Sequence, residues 1–175
     1  MRATVNRARE RGLTLPELIT VLAVAGVLLT AGVPSYRKFA LDNQVSTETN
    51  EFVFALLLAR SEAGKRGTPV TVAAIDASDS GNEFGGGWNV FVDSDADGVL
   101  DRGEQLLRTG QGRSGSGTID STDDVSFVQY RPWGALSVAP AQRSFLLCDG
   151  RSGEIGRLVT VTTTGRTDVV QIQCS

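Results

Sequence analysis

Leu13–Val33 (LTLPELITVLAVAGVLLTAGV) leaves this chain the fewest choices, because its 21 residues carry a single charge, Glu17. As a helix rising 1.5 Å per residue, the run reaches about 31 Å, one hydrocarbon thickness. Ahead of it, residues 1–12 hold Arg2, Arg7, Arg9 and Arg11 against one acid, Glu10. A basic flank stays cytoplasmic and sends the following chain outward. A cleaved secretory signal needs a shorter apolar region than this and no acid within it. A carboxylate inside such a run costs about 3 kcal/mol unless it finds a partner. Glu17 therefore reads as functional, and the segment as more than a signal or a plain anchor.

The whole chain has 175 residues, room for one ordinary domain and an extra element. It contains no histidine, which excludes Ser-His-Asp and Cys-His nucleophile systems. Cys148 and Cys174 are too few for a zinc centre and too far apart for a CxxC redox motif. With no activated nucleophile, the residues do not describe an enzyme.

After Pro34, apolar positions at Phe39, Val45, Phe52, Leu56, Ala59 and Ala63 follow helical spacing. Lys65 and Arg66 suit a helix C-terminus and Gly67 a stop. Pro34 is expected to bend the helix rather than end it, so one helix should cover about residues 14–66. Beyond it come eight short β-branched and aromatic runs: TPVTVAAI, GWNVFVD, EQLLRT, DVSFVQY, ALSV, RSFLLCD, RLVTVTTT and TDVVQIQC. Gly110–Gly117 (GQGRSGSG) reads as a flexible loop between strands. The expected fold is α+β, an antiparallel β domain packed on the apolar face of a long N-terminal helix.

Arg11-Gly12-Leu13-Thr14-Leu15-Pro16-Glu17-Leu18 resembles the type III leader junction of type IV pilins and type II secretion pseudopilins. The resemblance implies that a prepilin peptidase cuts between Gly12 and Leu13 and methylates the new amino terminus. Glu17 then becomes the fifth mature residue, and Pro34 stands where pilins commonly carry a helix-bending proline. Leu13 in place of phenylalanine and Pro16 in place of an apolar residue depart from the pattern; a proline in the first helical turn breaks no intrahelical bond. The segments LLLARSEAGKRGTPV, GGWNVFVDSDADGVLDRGEQLLR, the LCD around Cys148 and VTVTTTGR further resemble the GspH/FimT family of minor pilins and pseudopilins, which includes the type II secretion protein H.

That resemblance implies a type IV pilin-like fold with two β sheets and the following organisation: a leader over 1–12, a transmembrane and assembly helix over 13–33, an amphipathic helix over 34–66 that packs on the β domain, and a periplasmic β domain over 67–175. It also implies a single-pass protein of the bacterial inner membrane. Its partners would be other pilins or pseudopilins, the prepilin peptidase and the inner-membrane assembly platform, and it would join a pilus or pseudopilus as a structural subunit.

Asp93-Ser94-Asp95-Ala96-Asp97-Gly98-Val99-Leu100-Asp101-Arg102-Gly103-Glu104 satisfies D-x-D-x-D-G-x5-E. Oxygen donors at Asp93, Asp95, Asp97, Val99 (main chain), Asp101 and Glu104 are what Ca2+ requires. The flanks read as strands rather than the helices of an EF-hand, so a solvated turn is the competing reading. Cys148 and Cys174 would meet an oxidising compartment and form a disulfide, or else pack as two buried thiols. Trp88, Trp133, Phe91, Phe127 and Tyr130 read as core or sheet-face packing rather than a stacking platform for nucleic acid.

Some FimT-type minor pilins serve DNA uptake, which makes a DNA-binding minor pilin for natural transformation the alternative function. Their GRxR-like motif is broken here, at Gly165-Arg166-Thr167-Asp168. Removing residues 1–12 takes away four arginines and one glutamate and carries the net charge from −3 to −6, which opposes phosphate binding. A local patch of Arg143, Arg151, Arg157 and Arg166 would have to supply the contact.

Overall fold

In the computed structural model, the described residues are 14–77, 81–113, 117–137 and 142–174. Gly12 and Leu13, the expected processing site, lie outside them. One helix, α1, runs Leu15–Arg66 and passes through Pro34 without ending. At its start the Glu17 carboxylate reaches back to accept from the Thr14 backbone N–H at 3.4 Å, and the Leu18 N–H makes the first intrahelical bond, to the Thr14 carbonyl at 3.1 Å. Its end is Gly67 at φ +67°, whose N–H donates to the Ala63 carbonyl at 3.0 Å.

The chain divides into two compact units between Ala40 and Leu41. In the second, the buried helix positions are Ala55 and a regular series of six, Val45, Thr49, Phe52, Leu56, Ala59 and Ala63. Their alternating spacing of four and three residues keeps them on one stripe. Thr49 joins the stripe by donating its hydroxyl to the Val45 carbonyl at 2.7 Å, leaving its methyl for packing. Phe39, expected on the same stripe, falls in the first unit and is 64% exposed.

Eight strands follow: β1 Val70–Ala74, β2 Gly87–Val92, β3 Leu106–Gln111, β4 Thr118–Ser121, β5 Phe127–Tyr130, β6 Gln142–Cys148, β7 Ile155–Thr162 and β8 Thr167–Gln173. They form two antiparallel sheets, ordered β3-β2-β1-β5 and β4-β6-β7-β8. Phe52 of α1 is where helix and sheets meet. Its ring makes edge-on contacts with Trp88 of β2 at 5.2 Å, Phe145 of β6 at 5.0 Å and Phe84 at 5.4 Å. Such pairs add about 0.5–1.5 kcal/mol each beyond the area they bury.

Two strand expectations change. Thr118–Ser121 is a strand although Ile119 is its one large apolar residue; it pairs with β6 from Thr118↔Cys148 to Ser121↔Phe145. Within ALSV, Leu136 makes an isolated bridge to Tyr130, and Val138 lies outside the described residues. The expected flexible loop over 110–117 begins inside β3. Its Arg113 side chain is 2% exposed and ion-paired with Glu48 of α1, while its guanidinium also reaches the carbonyls of Thr118 and Cys148. Burial of that charge between helix and second sheet fixes Arg113 itself.

Candidate functional site

Within the first unit, Leu18, Ile19, Val21, Leu22, Val24, Val27, Leu28 and Leu29 are each at least half exposed. Helix α1 is here long and apolar enough to cross a membrane, and none of that window is buried. A continuous apolar surface left uncovered by its own fold marks a lipid or protein contact. Glu17 interrupts it in the first turn, exposed, with one carboxylate oxygen on the Thr14 N–H. Pro34 is also exposed.

Cys148, the last residue of β6, is disulfide-bonded to Cys174 just beyond β8, with Cα atoms 6.0 Å apart. Strand β7 lies between β6 and β8, so the bridge crosses over it at Gly156. A Cβ at Gly156 would collide with Cys174 Sγ and stand 3.1 Å from Cys148 Sγ. The Cys174 N–H donates to the Glu154 carbonyl at 2.9 Å and its own carbonyl accepts from the Gly153 N–H at 2.8 Å, so the chain end is also sewn to the β6–β7 turn.

The acidic loop joins β2 to β3. Asp93 is fully buried, whereas Asp95 and Asp97 are exposed, and these three bring carboxylate oxygens within 4.8 Å of one another. Asp101 and Glu104 are not part of that convergence. Glu104 instead closes the loop, one oxygen accepting from Ser94 N–H at 2.7 Å and the other from Asp101 N–H at 3.1 Å. Gly98, at φ +83°, sits against the Phe127 ring so closely that a Cβ would stand 2.8 Å from it, which docks the loop on the outer face of the first sheet. Val99 is exposed at the loop surface.

The four arginines are employed differently. Arg143 is 8% exposed and 3.9 Å from Asp123. Arg151 pairs with Asp149 and reaches Asp42 of α1 at 2.7 Å. Burial raises the Asp149 carboxyl, but hydrogen bonds from the Arg151 side chain and N–H outweigh it and hold the group below its ordinary value. Arg151 is correspondingly pushed up by its bonds to Asp149 and Asp42. Arg157 donates to the Gly156 carbonyl at 3.1 Å and to Ser46 of α1 at 3.3 Å. Arg166 is exposed on the β7–β8 turn, two residues before exposed Asp168. Three of these side chains thus serve the fold of the second unit.

Of the aromatic residues singled out, Trp88, Phe91 and Tyr130 are buried and Phe127 half-buried. Trp133 departs from the expected packing: it is 70% exposed, with the Arg131 guanidinium 5.4 Å from its ring centre.

A family model described as type II transport protein GspH matches residues 48–165, two thirds of the chain. The chain belongs to the GspH family. GspH-type chains are structural pilin subunits, and the long helix carrying two antiparallel sheets is the type IV pilin fold. Two crystal forms of the type IV minor pilin FimU of Pseudomonas aeruginosa strain PAO1 have the same fold. One is 25% identical, with TM-score 0.60, over 75% of this GspH chain and 92% of FimU. The other is 24% identical, with TM-score 0.56, over 71% and 91%. No curated protein matches the chain. The matched region starts at Glu48, so membership rests on the second unit, and the N-terminal helix carries the functional reading by its own chemistry.

Proposed function

We propose that this GspH-family chain is a minor pilin subunit of a type IV pilus or type II secretion pseudopilus. Before assembly the apolar helix holds it in the bacterial inner membrane with the β domain in the periplasm. Prepilin peptidase cuts between Gly12 and Leu13 and methylates the Leu13 amine. At the assembly platform the same helix then leaves lipid for the helices of neighbouring subunits.

The observation that carries this reading is one exposed carboxylate, Glu17, in the first turn of an otherwise uncovered apolar helix. Processing would put a positive amine four residues before it. In lipid the two can neutralise each other within one helix. In a filament Glu17 can meet the amine of the next subunit and set axial register, because either charge left alone in a low-dielectric bundle is costly.

The test is cross-linking to partner pilins in cells carrying the unchanged chain, Glu17→Ala or Glu17→Gln. Both variants should be processed and keep a folded β domain, yet lose most of the cross-linked product, since a neutral amide cannot balance the amine. Assembly of both variants at the unchanged level overturns the role assigned to Glu17.

A further inference from the structure

Asp93 is the most deeply placed carboxylate of the acidic loop, and its two oxygens are treated very unequally. Oδ2 accepts from the Thr71 hydroxyl at 2.6 Å, Gln129 Nε2 at 2.7 Å and Gly98 N–H at 3.1 Å. Oδ1 is equally buried and has no hydrogen-bond donor among the described residues. Among the same residues no lysine or arginine pairs with Asp93, Asp95 or Asp97. A buried polar oxygen without a partner destabilises the fold, the more so where it carries charge.

We propose that this loop binds one Ca2+ ion, with Asp93 Oδ1 as its inner ligand and the exposed Asp95 and Asp97 carboxylates as its outer ones. The three residues place an oxygen each within 4.8 Å of one another, the spacing that ligands at about 2.4 Å from a shared ion require. The donors on Oδ2 orient the carboxylate and leave Oδ1 for the cation. Exposure of Asp95 and Asp97 supplies the entry path and room for waters. Carboxylate and water oxygens on a surface loop suit the irregular shell of Ca2+ better than the strict octahedron of Mg2+. The Gly98 contact with Phe127 couples the site to the first sheet, so the ion would clamp the β2–β3 connection onto it. This proposal is independent of Glu17 and of filament assembly, and each can fail without the other.

The experiment uses the full chain in detergent micelles, freed of metal by chelator and titrated with CaCl2 or MgCl2 alone by calorimetry and thermal melting. One equivalent of Ca2+ should bind, with a dissociation constant of about 10⁻⁴–10⁻³ M, the range of extracellular modules. The melting temperature should rise with Ca2+ concentration. Asp95→Asn and Asp97→Asn, both at exposed positions, should each weaken binding by about tenfold or more while the metal-free melting temperature stays within a degree or two. Asp93→Asn should abolish binding, and the two exposed-site variants keep the test decisive should that chain fail to fold. Melting unchanged by Ca2+ at about 10 mM, binding unaffected by Asp95→Asn and Asp97→Asn, or equal affinity for Mg2+ overturns the proposal.

Discussion

Cys174 occupies the space that a side chain on Gly156 would need. The glycine lies on the middle strand of three, and the disulfide from the end of β6 to the residue beyond β8 passes over it, while the Leu147 carbonyl would stand 2.7 Å from a Cβ at the same position. A bridge between second-neighbour strands is possible because the strand it crosses is bare there. Gly156→Ala should destabilise by about 1–3 kcal/mol through overpacking. Cys148→Ala with Cys174→Ala should cost about 3–4 kcal/mol for a separation of 26 residues. Urea unfolding of the triple variant should show less than the sum of the two losses, because the sulfurs that crowd the added methyl are gone. Strict additivity would refute the crossing.

Arg113 makes a second long-range tie. Its guanidinium is 2% exposed and pairs with Glu48, which is 17% exposed. Arg113→Met leaves Glu48 without its countercharge and should cost about 3 kcal/mol or more in denaturant unfolding. Adding Glu48→Leu should restore a substantial part of that loss, since the penalty lies in the stranded charge. A double variant no more stable than Arg113→Met would contradict this.

Acid sensitivity should divide between groups of opposite sign. For Glu83, burial raises the carboxyl, but hydrogen bonds from the N–H groups of Ser121, Glu83 and Gly81 outweigh it and hold the group below its ordinary value. Asp149 is held below 3.8. Both contribute stability that is present above their unfolded values and is lost as pH falls through the lower folded ones. Asp120 is raised above 3.8 by burial and by the charges of Glu83 and Asp124, so its contribution is favourable below the unfolded value and is lost as pH rises through the folded one. Asp120→Asn should therefore raise the melting temperature at pH 7, with the gain disappearing below about pH 3.8. Melting curves across pH 2–7 check this; a gain independent of pH would point to packing instead.

Processing gives a prediction at the other end of the chain. A peptidase that cuts after a residue without a side chain should reject a branched one. Gly12→Val should accumulate at precursor mass, whereas the unchanged chain should be shorter by residues 1–12. Mass spectrometry of membrane fractions reads the difference directly, and a normal mature mass in the variant would exclude the assigned cleavage position.

Residues 14–77 show how far local periodicity reaches. The long apolar run, the stop at Gly67 and the buried stripe from Val45 to Ala63 are all expressed in spacing within a few residues, because a helix face repeats every three to four positions. Thr49 can be read by the same rule as the missing member of the stripe, and the Glu17 contact with the Thr14 N–H from the T-x-x-E spacing. The acidic loop, too, could be read from its alternating oxygens.

What the sequence by itself determined was therefore the helix, most of the strands, the family and the chemistry available at each motif. The tertiary structure decided which of those groups meet. It made Thr118–Ser121 a strand by pairing it with β6, although its own residues scarcely ask for one. It left Phe39 and Trp133 exposed and took Arg113 out of a glycine-rich loop to bury it against Glu48. It brought carboxylate oxygens of Asp93, Asp95 and Asp97 within 4.8 Å of one another and set Glu104 to closing the loop. The physical reason is range: a periodic pattern is set by neighbours along the chain, whereas burial and partnership depend on residues brought from far along it, as Thr71 and Gln129 are to Asp93.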